Sequence, residues 1–261
     1  MERLMDASTI LSVSNLTLRF GGVTALEEVS FNVQSGDLFA IIGPNGAGKT
    51  SIFNCINGVY KPQNGSILFE GNELIGERPV SVARKGVGRT FQNLGLFMNL
   101  NLIDNLLLGR HLQMKTGFLS GAFWWGRAKN EEMKNRQKIE TIIDLLELQP
   151  YRYQPVGLLP YGIQKRVELG RALAMEPRIL LLDEPVAGMN LEETEDMARY
   201  ILEINSELGV SILLVEHDMA MVMDIADCVM ALDFGQTIAT GSPKEVQSDQ
   251  RVVAAYLGEA S

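Results

Sequence analysis

Residues 43–50 have the sequence Gly-Pro-Asn-Gly-Ala-Gly-Lys-Thr, in which a glycine and four free positions precede Gly-Lys-Thr. This spacing predicts a loop that holds nucleotide phosphates, because glycines let the backbone wrap closely around an anion. Lys49 would reach the β- and γ-phosphates of ATP or GTP, and the Thr50 hydroxyl would bind Mg²⁺. An ordinary glycine-rich turn is the structural alternative. The residues predicted to contact the nucleotide here are Gly43, Pro44, Asn45, Gly46, Ala47, Gly48, Lys49, Thr50 and Ser51.

An acidic pair, Asp183 and Glu184, follows a run of four apolar residues at 179–182. In a phosphoryl-transfer site, Asp183 would hold Mg²⁺ through water, and Glu184 would polarise the water that attacks the γ-phosphate. Charged residues often cap a buried strand, so the pair by itself has a purely structural alternative. Its occurrence after a phosphate loop favours the chemical role.

The phosphate loop needs a strand before it and a helix after it. Residues 38–42 are an apolar run of strand length, and residues 51–57 read as a helix closed by Gly58. A loop that joins a buried strand to a helix N-terminus offers unpaired N–H groups and the positive end of the helix dipole to an anion. The neighbouring elements therefore support the prediction of a phosphate site.

Strand and helix patterns alternate through the rest of the chain. Strands are predicted at residues 16–20, 29–33, 179–182 and 210–215, and a hairpin around Gly65 with a strand at 66–70. Helices are predicted at about 129–148, 163–175 and 191–208, with a glycine- and aromatic-rich loop or short hairpin at 117–126. This alternation indicates an α/β fold with a mostly parallel sheet, which binds ligands outside the carboxyl ends of its strands.

Composition narrows the class of protein. The 261 residues are 46% hydrophobic, enough for a full core, and the net charge of −9 argues against nonspecific nucleic-acid binding. Cys55 and Cys228 lack the spacing of a disulfide framework or a zinc site, which fits a reducing cytosol. The N-terminus lacks the pattern of a secretory signal, and the apolar runs fall short of the ~20 residues that span a bilayer. We therefore expect a protein that does not cross a membrane by itself, although it could bind at the surface of one.

These motifs together resemble those of the nucleotide-binding subunit of an ATP-binding cassette (ABC) transporter, over nearly the whole chain. The resemblance implies an α/β P-loop NTPase fold, with a RecA-like parallel core, an antiparallel β subdomain and an inserted α-helical subdomain. It assigns residues 1–92 to the first part of the core and the β subdomain. Residues 93–158 would form the helical subdomain, with an insert near 111–130, and residues 159–261 the second part of the core.

Three further site residues are implied by the resemblance. Phe20 would stack on adenine, whereas a core aromatic on a strand is the alternative. Gln92, within Arg-Thr-Phe-Gln at 89–92, would contact Mg²⁺ and the attacking water. His217 would touch the γ-phosphate as the switch histidine, although a histidine at a strand end is more often a hydrogen-bonded surface residue.

Residues 159–164, Leu-Pro-Tyr-Gly-Ile-Gln, stand where the family places its signature, Leu-Ser-Gly-Gly-Gln. In the family, this helix N-terminus serves the ATP held by the other subunit, and Gly162 would take that role here. Pro160 replaces the serine, Tyr161 the first glycine and Ile163 the glutamine, so a hydroxyl is lost while backbone N–H groups and the helix dipole remain. The D-loop, residues 187–190, also departs from the family, since Asn190 occupies the usual aspartate position.

The Leu-Pro-Tyr-Gly signature, the Ala-Gly-Met-Asn D-loop and the motif at 89–92 resemble the branched-chain amino acid importer ATPases, in particular the one of two ATPase subunits that carries the insert. The resemblance implies two ATP molecules sandwiched with Mg²⁺ between this chain and a second ATPase subunit, identical or a paralogue. It further implies two transmembrane permease subunits, a solute-binding protein, no nucleic acid, and a peripheral position on the cytoplasmic face of the inner or plasma membrane. Leu96, Phe97 and Met98 are expected to be exposed for a permease coupling helix, with core packing as the alternative.

Three other functions compete with this interpretation. The ATPase of a lipid or lipopolysaccharide exporter has a similar length, but the signature and the Trp-Trp insert weigh against it. A soluble cassette protein acting on ribosomes or DNA would usually carry two cassettes or a long coiled-coil insertion. A small-molecule kinase fits the acidic pair and His217 less well than water attack does. The transported solute stays open among leucine, urea, short amides and aromatic acids.

Overall fold

The structure is a computed structural model that describes residues 9–90, 94–110 and 125–257. Two sheets organise it. The first is antiparallel, with strands in the order β2-β1-β4-β5. Its strands are β1 (Thr9–Phe20), β2 (Val23–Gln34), β4 (Asn64–Phe69) and β5 (Asn72–Glu73).

A hairpin was predicted around Gly65, but its turn does not lie at this residue. Phe69 pairs with Asn72, so the turn consists of Glu70 and Gly71, which both have positive φ (47° and 75°). Such a two-residue turn matches the twist of the strands that it joins. Gly65 lies inside β4, where a Cβ atom would come within 2.7 Å of the Asn15 carbonyl oxygen. The prediction was therefore wrong about the role of this glycine, which allows a close approach of two strands.

The second sheet has six strands in the order β10-β9-β3-β8-β7-β6 and is parallel except for β10. The strands β3, β7 and β8 are buried at every residue, as expected for a parallel sheet that is covered on both faces. This arrangement confirms the predicted α/β class. The strands are β3 (Leu38–Ile42), β6 (Val87–Arg89), β7 (Ile179–Asp183), β8 (Ser211–Val215), β9 (Cys228–Asp233) and β10 (Gln236–Gly241).

Helices cover both faces of the parallel sheet. They are α1 (Lys49–Ile56), α2 (Pro79–Arg84), α3 (Leu102–Gly109), α4 (Trp125–Leu145), α5 (Tyr161–Leu173), α6 (Leu191–Leu208), α7 (Met219–Ile225), α8 (Pro243–Ser248) and α9 (Gln250–Leu257). The bounds of α6 agree with the prediction because Asn190 and Glu193 form a capping box at its start and Gly209 adopts a left-handed conformation after its end. Trp125 and Gly126, predicted in a loop or short hairpin, begin α4; residues 117–124 of that segment lie outside the described residues.

Alternate residues of β3 point into two hydrophobic cores. Leu38, Ala40 and Ile42 pack with α3, α4, α5, α6 and α7, whereas Phe39 and Ile41 pack with α1 and the antiparallel sheet. The carboxyl end of this central strand is thus fixed from both sides. Among the described residues, no helix combines the length and the apolar character needed to cross a bilayer.

The segment before α3 only partly follows the prediction of an exposed surface. Phe97 and Met98 are 56% and 40% exposed, but Leu96 is 8% exposed and belongs to the core. The buried Asn105 side chain holds this segment, since its amide oxygen accepts a hydrogen bond from Phe97 N and its amide group donates to Phe97 O. Leu96 was wrongly predicted as exposed because a short loop has no periodicity that separates its inner face from its outer face.

Candidate nucleotide site

The phosphate loop joins the central strand β3 to α1, and two of its glycines are required by their neighbours. A Cβ atom at Gly43 would lie 2.1 Å from the Leu232 carbonyl oxygen, and one at Gly48, where φ is +105°, would lie 2.6 Å from that of Ala25. Gly235 N also donates a hydrogen bond of 2.9 Å to Ala47 O. The antiparallel sheet, β9 and the β9–β10 turn therefore hold the loop in place.

Lys49 begins α1 and is 6% exposed. Its Nζ donates to the carbonyl oxygens of Gly43 and Pro44, at 2.5 and 2.9 Å, so the ammonium group lies over the loop. The start of α1 has no side-chain cap and no acidic residue in its first turn. Its first N–H groups and its dipole therefore favour an anion at this position. Thr50 is exposed and Ser51 is half-buried beside it.

Asp183, the last residue of β7, is 1% exposed and pairs with Arg89 of the neighbouring strand β6. Arg89 Nη2 donates to Asp183 Oδ2 at 2.8 Å, and Arg89 Nη1 donates to Asn54 Oδ1 of α1 at 2.8 Å. Burial raises the pKa of Asp183, and the hydrogen bond from Arg89 opposes that rise. This ion pair ties the acidic residue to both β6 and the helix of the phosphate loop.

The donor set fits Mg²⁺. Among the described residues, Asp183 Oδ1 is a buried oxygen without a hydrogen-bond partner. A buried carboxylate oxygen requires a partner, and Mg²⁺ is bound through one or two protein oxygens together with phosphates and water. Asp183 and the Thr50 hydroxyl supply such oxygens.

Glu184 and His217 follow neighbouring strands, β7 and β8. Glu184 is a non-glycine residue at φ +50°, a conformation that costs energy, and its N–H donates to Val215 O at 2.9 Å. The side chain of His217 is 58% exposed. Because β3, β8 and β7 are adjacent, the phosphate loop, His217 and the acidic pair meet at one edge of the sheet, as predicted.

Phe20, another predicted site residue, lies in the antiparallel sheet. Phe20 ends β1 and is 48% exposed, with its ring edge-on to Tyr60 at a centroid distance of 5.1 Å. It is therefore not a core aromatic, the alternative considered from the sequence. Gln92 lies outside the described residues.

The signature segment is packed against the D-loop of the same chain. A Cβ atom at Gly162 would lie 2.4 Å from Glu193 Oε1, and one at Gly188 would lie 3.3 Å from the Tyr161 ring. Ile163 is buried in the core, so the position of the family's glutamine points inward here. Pro160 precedes α5 without any side-chain cap, which leaves the first N–H groups of this helix open to a ligand.

The sequence assigned no role to Arg89 or Glu216, two charged residues of the site whose side chains are 7% and 0% exposed. Arg89 contacts Asp183, and Glu216 hydrogen-bonds the loop after Glu184. The available signals were an arginine directly before Thr-Phe-Gln and an acidic residue directly after four apolar residues. Neither pattern identifies the residue that the side chain contacts, because that residue is 94 positions away for Arg89 and 30 positions away for Glu216.

The site defines a P-loop nucleotide-binding protein. It combines a buried strand, a clamped glycine loop, a lysine at a helix N-terminus and an acidic pair on a nearby parallel strand. A model of the ABC transporter family matches residues 26–187. A second model, described as the branched-chain amino acid ATP-binding cassette transporter, matches residues 236–261. The chain belongs to the ABC transporter family, and its enzymatic activity is ATP hydrolysis.

Relatives and solved structures agree with this membership. The chain is 41% identical over 251 residues to the high-affinity branched-chain amino acid transport ATP-binding protein BraF of Pseudomonas aeruginosa, covering 96% of this chain and 98% of that protein. It is 39% identical over 251 residues to LivG of Escherichia coli strain K12, which has the same descriptive name, with the same shares covered. The solved ADP conformation of an ATP-binding cassette of an ABC transporter is 32% identical, with a TM-score of 0.83 over 96% of this chain and 99% of that chain.

Proposed function

We propose that this chain is one of two ATPase subunits of an importer for branched-chain amino acids or related small amino acids and amides. The observation that carries the solute class is the match of residues 236–261 to the branched-chain family model, which lies beyond the shared cassette motifs. The names of BraF and LivG, at 41% and 39% identity over 96% of the chain, support the same class. They favour it over a lipid exporter, a ribosome-bound cassette protein or a kinase.

The site geometry supports assigned roles in hydrolysis. The loop at 43–50 binds the phosphates, Lys49 neutralises the β- and γ-phosphates, and Phe20 stacks on adenine. Thr50 and Asp183, together with Gln92 as the family resemblance implies, would hold Mg²⁺, which when bound neutralises phosphate charge and polarises the γ-phosphoryl group.

Glu184 orients a water molecule and accepts its proton. As the new O–P bond forms, the bridging bond between the β- and γ-phosphates breaks, and ADP and phosphate leave. His217 contacts the γ-phosphate. The exposed histidine ring and the fixed backbone of Glu184 suit these roles.

We also assign the other half of each ATP site to the second ATPase subunit. The open N-terminus of α5 and Gly162 would face the ATP that is bound to the partner's loop. ATP then makes contacts in the closed pair that it cannot make in the open one, which is the differential affinity that any such switch requires. Hydrolysis removes these contacts and drives two permease subunits on the cytoplasmic face of the membrane.

In this proposal, residues 93–158 form the helical subdomain that receives the permease. Phe97 and Met98 lie exposed at its start, on a backbone that Asn105 fixes. Residues 1–92 and 159–261 form the two parts of the core. A solute-binding protein would deliver the solute from the other side of the membrane.

The decisive experiment combines Glu184→Gln with purification of the tagged chain from native membranes. We expect this variant to bind Mg-ATP and to accumulate as a nucleotide-held pair of ATPase subunits, with turnover nearly abolished, because the amide cannot accept the proton. The purified complex should contain two polytopic proteins and should take up labelled leucine in vesicles when supplied with its binding protein and ATP. Rapid hydrolysis by Glu184→Gln would exclude the catalytic role, and recovery with ribosomes would exclude the transport role.

A further inference from the structure

Glu216 is a buried carboxylate placed between the functional loops of the site. It follows β8, which lies between β3 and β7 in the sheet, so the phosphate loop begins on one side of it and Glu184 lies on the other. Its side chain is 0% exposed. A carboxylate at such depth requires hydrogen-bond donors, since an unpaired buried charge is strongly unfavourable.

The two oxygens of Glu216 accept hydrogen bonds from two different loops. Oε1 accepts from Val186 N at 3.1 Å, in the loop after Glu184. Oε2 accepts from His217 N at 2.9 Å and from Asp218 N at 3.3 Å. One carboxylate thus joins the loop of the acidic pair to the loop of the histidine.

These bonds fix the backbone on both sides of Glu184. Glu184 N is bonded to Val215 O at 2.9 Å, and Val186 N, two residues later, is bonded to Glu216. Glu184 itself stands at φ +50°, a conformation that persists only when the surroundings hold it. On the other loop, the bond to His217 N fixes the backbone while the imidazole stays 58% exposed and can reach a ligand.

We propose that Glu216 is a positioning residue for ATP hydrolysis, which holds Glu184 and His217 at a fixed separation through the two oxygens of one carboxylate. This inference rests on the roles proposed above for Glu184 and His217. A glutamine in its place has the same shape but only one acceptor oxygen. Its NH₂ group would face the N–H of one of the two loops, so one loop would be released.

The test is the kinetics of Glu216→Gln in the assembled transporter. We expect kcat to fall by about 10- to 100-fold, the cost of a misplaced catalytic group, with KM for Mg-ATP nearly unchanged because the phosphate loop is intact. Glu216→Asp keeps the charge but cannot span both loops, and should lose kcat similarly. Nucleotide binding and thermal unfolding of both variants establish that they are folded.

Glu73→Gln is the matched control. Glu73 Oε1 accepts bonds from Ile67 N, Leu74 N and Ile75 N at 3.1, 3.0 and 3.0 Å, in the antiparallel sheet away from the acidic pair. In Glu73→Gln the amide oxygen can keep all three backbone bonds, and the Ser66 hydroxyl, which donates to Oε2, can instead accept from the NH₂ group. The same chemical change is therefore made without touching Glu184 or His217. Its kcat should stay at the wild-type value, which would show that the loss in Glu216→Gln depends on where the carboxylate lies.

A double mutant separates positioning from independent effects. If Glu216 acts through His217, Glu216→Gln should lower the residual single-turnover rate of His217→Ala by a much smaller factor than it lowers that of wild type. Full multiplication of the factors both with His217→Ala and with Glu184→Gln would overturn the proposal, as would a wild-type kcat in Glu216→Gln. If Glu184→Gln and His217→Ala turn over much more slowly than wild type in the same preparation, such a result leaves the proposed function standing; if both turn over at the wild-type rate, the proposed function itself fails.

Discussion

The phosphate loop and the signature segment are both helix N-termini without a side-chain cap, yet only the phosphate loop is a complete anion site. The loop before α1 carries the buried Lys49 and is clamped by Leu232, Ala25 and Gly235. The first turn of α5 has no charged residue, and its neighbours are Gly188 of the D-loop and Glu193 of α6. We therefore expect the first region to bind phosphate alone and the second to add N–H groups to a phosphate that is held elsewhere.

Lys49→Ala should have the largest effect and should distinguish the phosphate loop from the signature segment most clearly. It removes a buried ammonium group and its charge from the phosphates, so we expect affinity for ATP to fall by about 10- to 100-fold and turnover by about 10²- to 10³-fold. Titration of the isolated chain with a fluorescent ATP analogue measures the first effect, and phosphate release by the assembled transporter the second. The exposed Lys61 provides the control Lys61→Ala, which should match wild type. Equal ATP affinity in Lys49→Ala and wild type would contradict the expectation that the phosphate loop binds phosphate alone.

The phosphate loop could be predicted from the sequence because its motif consists of residues that are close together in the chain. A phosphate loop requires fixed residue types at fixed spacing within eight positions. The ends of α6 also depend on nearby residues, since Asn190 and Glu193 cap its start and Gly209 follows its end. Gly65 illustrates the opposite case, since a glycine signals a turn or a close contact equally well. The sequence alone could not decide between the two, because the strand that Gly65 approaches is set by tertiary packing.

Contacts between distant segments account for what the sequence did not reveal. Arg89 meets Asp183 only because β6 and β7 are adjacent in the sheet, and Glu216 reaches Val186 only because β8 lies next to β7. Leu96 points inward while Phe97 points outward, which depends on how Asn105 holds the loop. Such features follow from topology, which no single motif encodes.

Gly162→Ala should affect hydrolysis without affecting binding by the isolated chain. The added methyl group would displace the Glu193 carboxylate, whose Oε2 otherwise accepts a bond from Asn190 N at 3.1 Å in the capping box of α6. We expect unchanged ATP affinity for the isolated chain, about tenfold slower turnover in the assembled transporter, and a loss of about 1 kcal/mol in stability. Gly22→Ala is the control, because nothing lies within 4 Å of its added Cβ. Weaker ATP binding by isolated Gly162→Ala would show that the signature segment already belongs to the phosphate site of its own chain.

Asn190→Asp, which installs the family's usual residue, should have the smallest effect. Asn190 Oδ1 accepts a bond from Glu193 N at 3.0 Å as the N-cap of α6, and an aspartate caps a helix equally well. Its added charge is favoured by the helix dipole but opposed by Glu192 and Glu193 in the first turn, so these effects offset each other. We expect stability to change by less than about 0.5 kcal/mol and turnover by about twofold at most. Asn190→Ala, which loses the cap, should cost about 1 kcal/mol and serves as the control for a structural effect. A tenfold rise in turnover with Asn190→Asp would instead mean that the amide limits hydrolysis, and that the D-loop takes part in the chemistry rather than only supporting the signature segment.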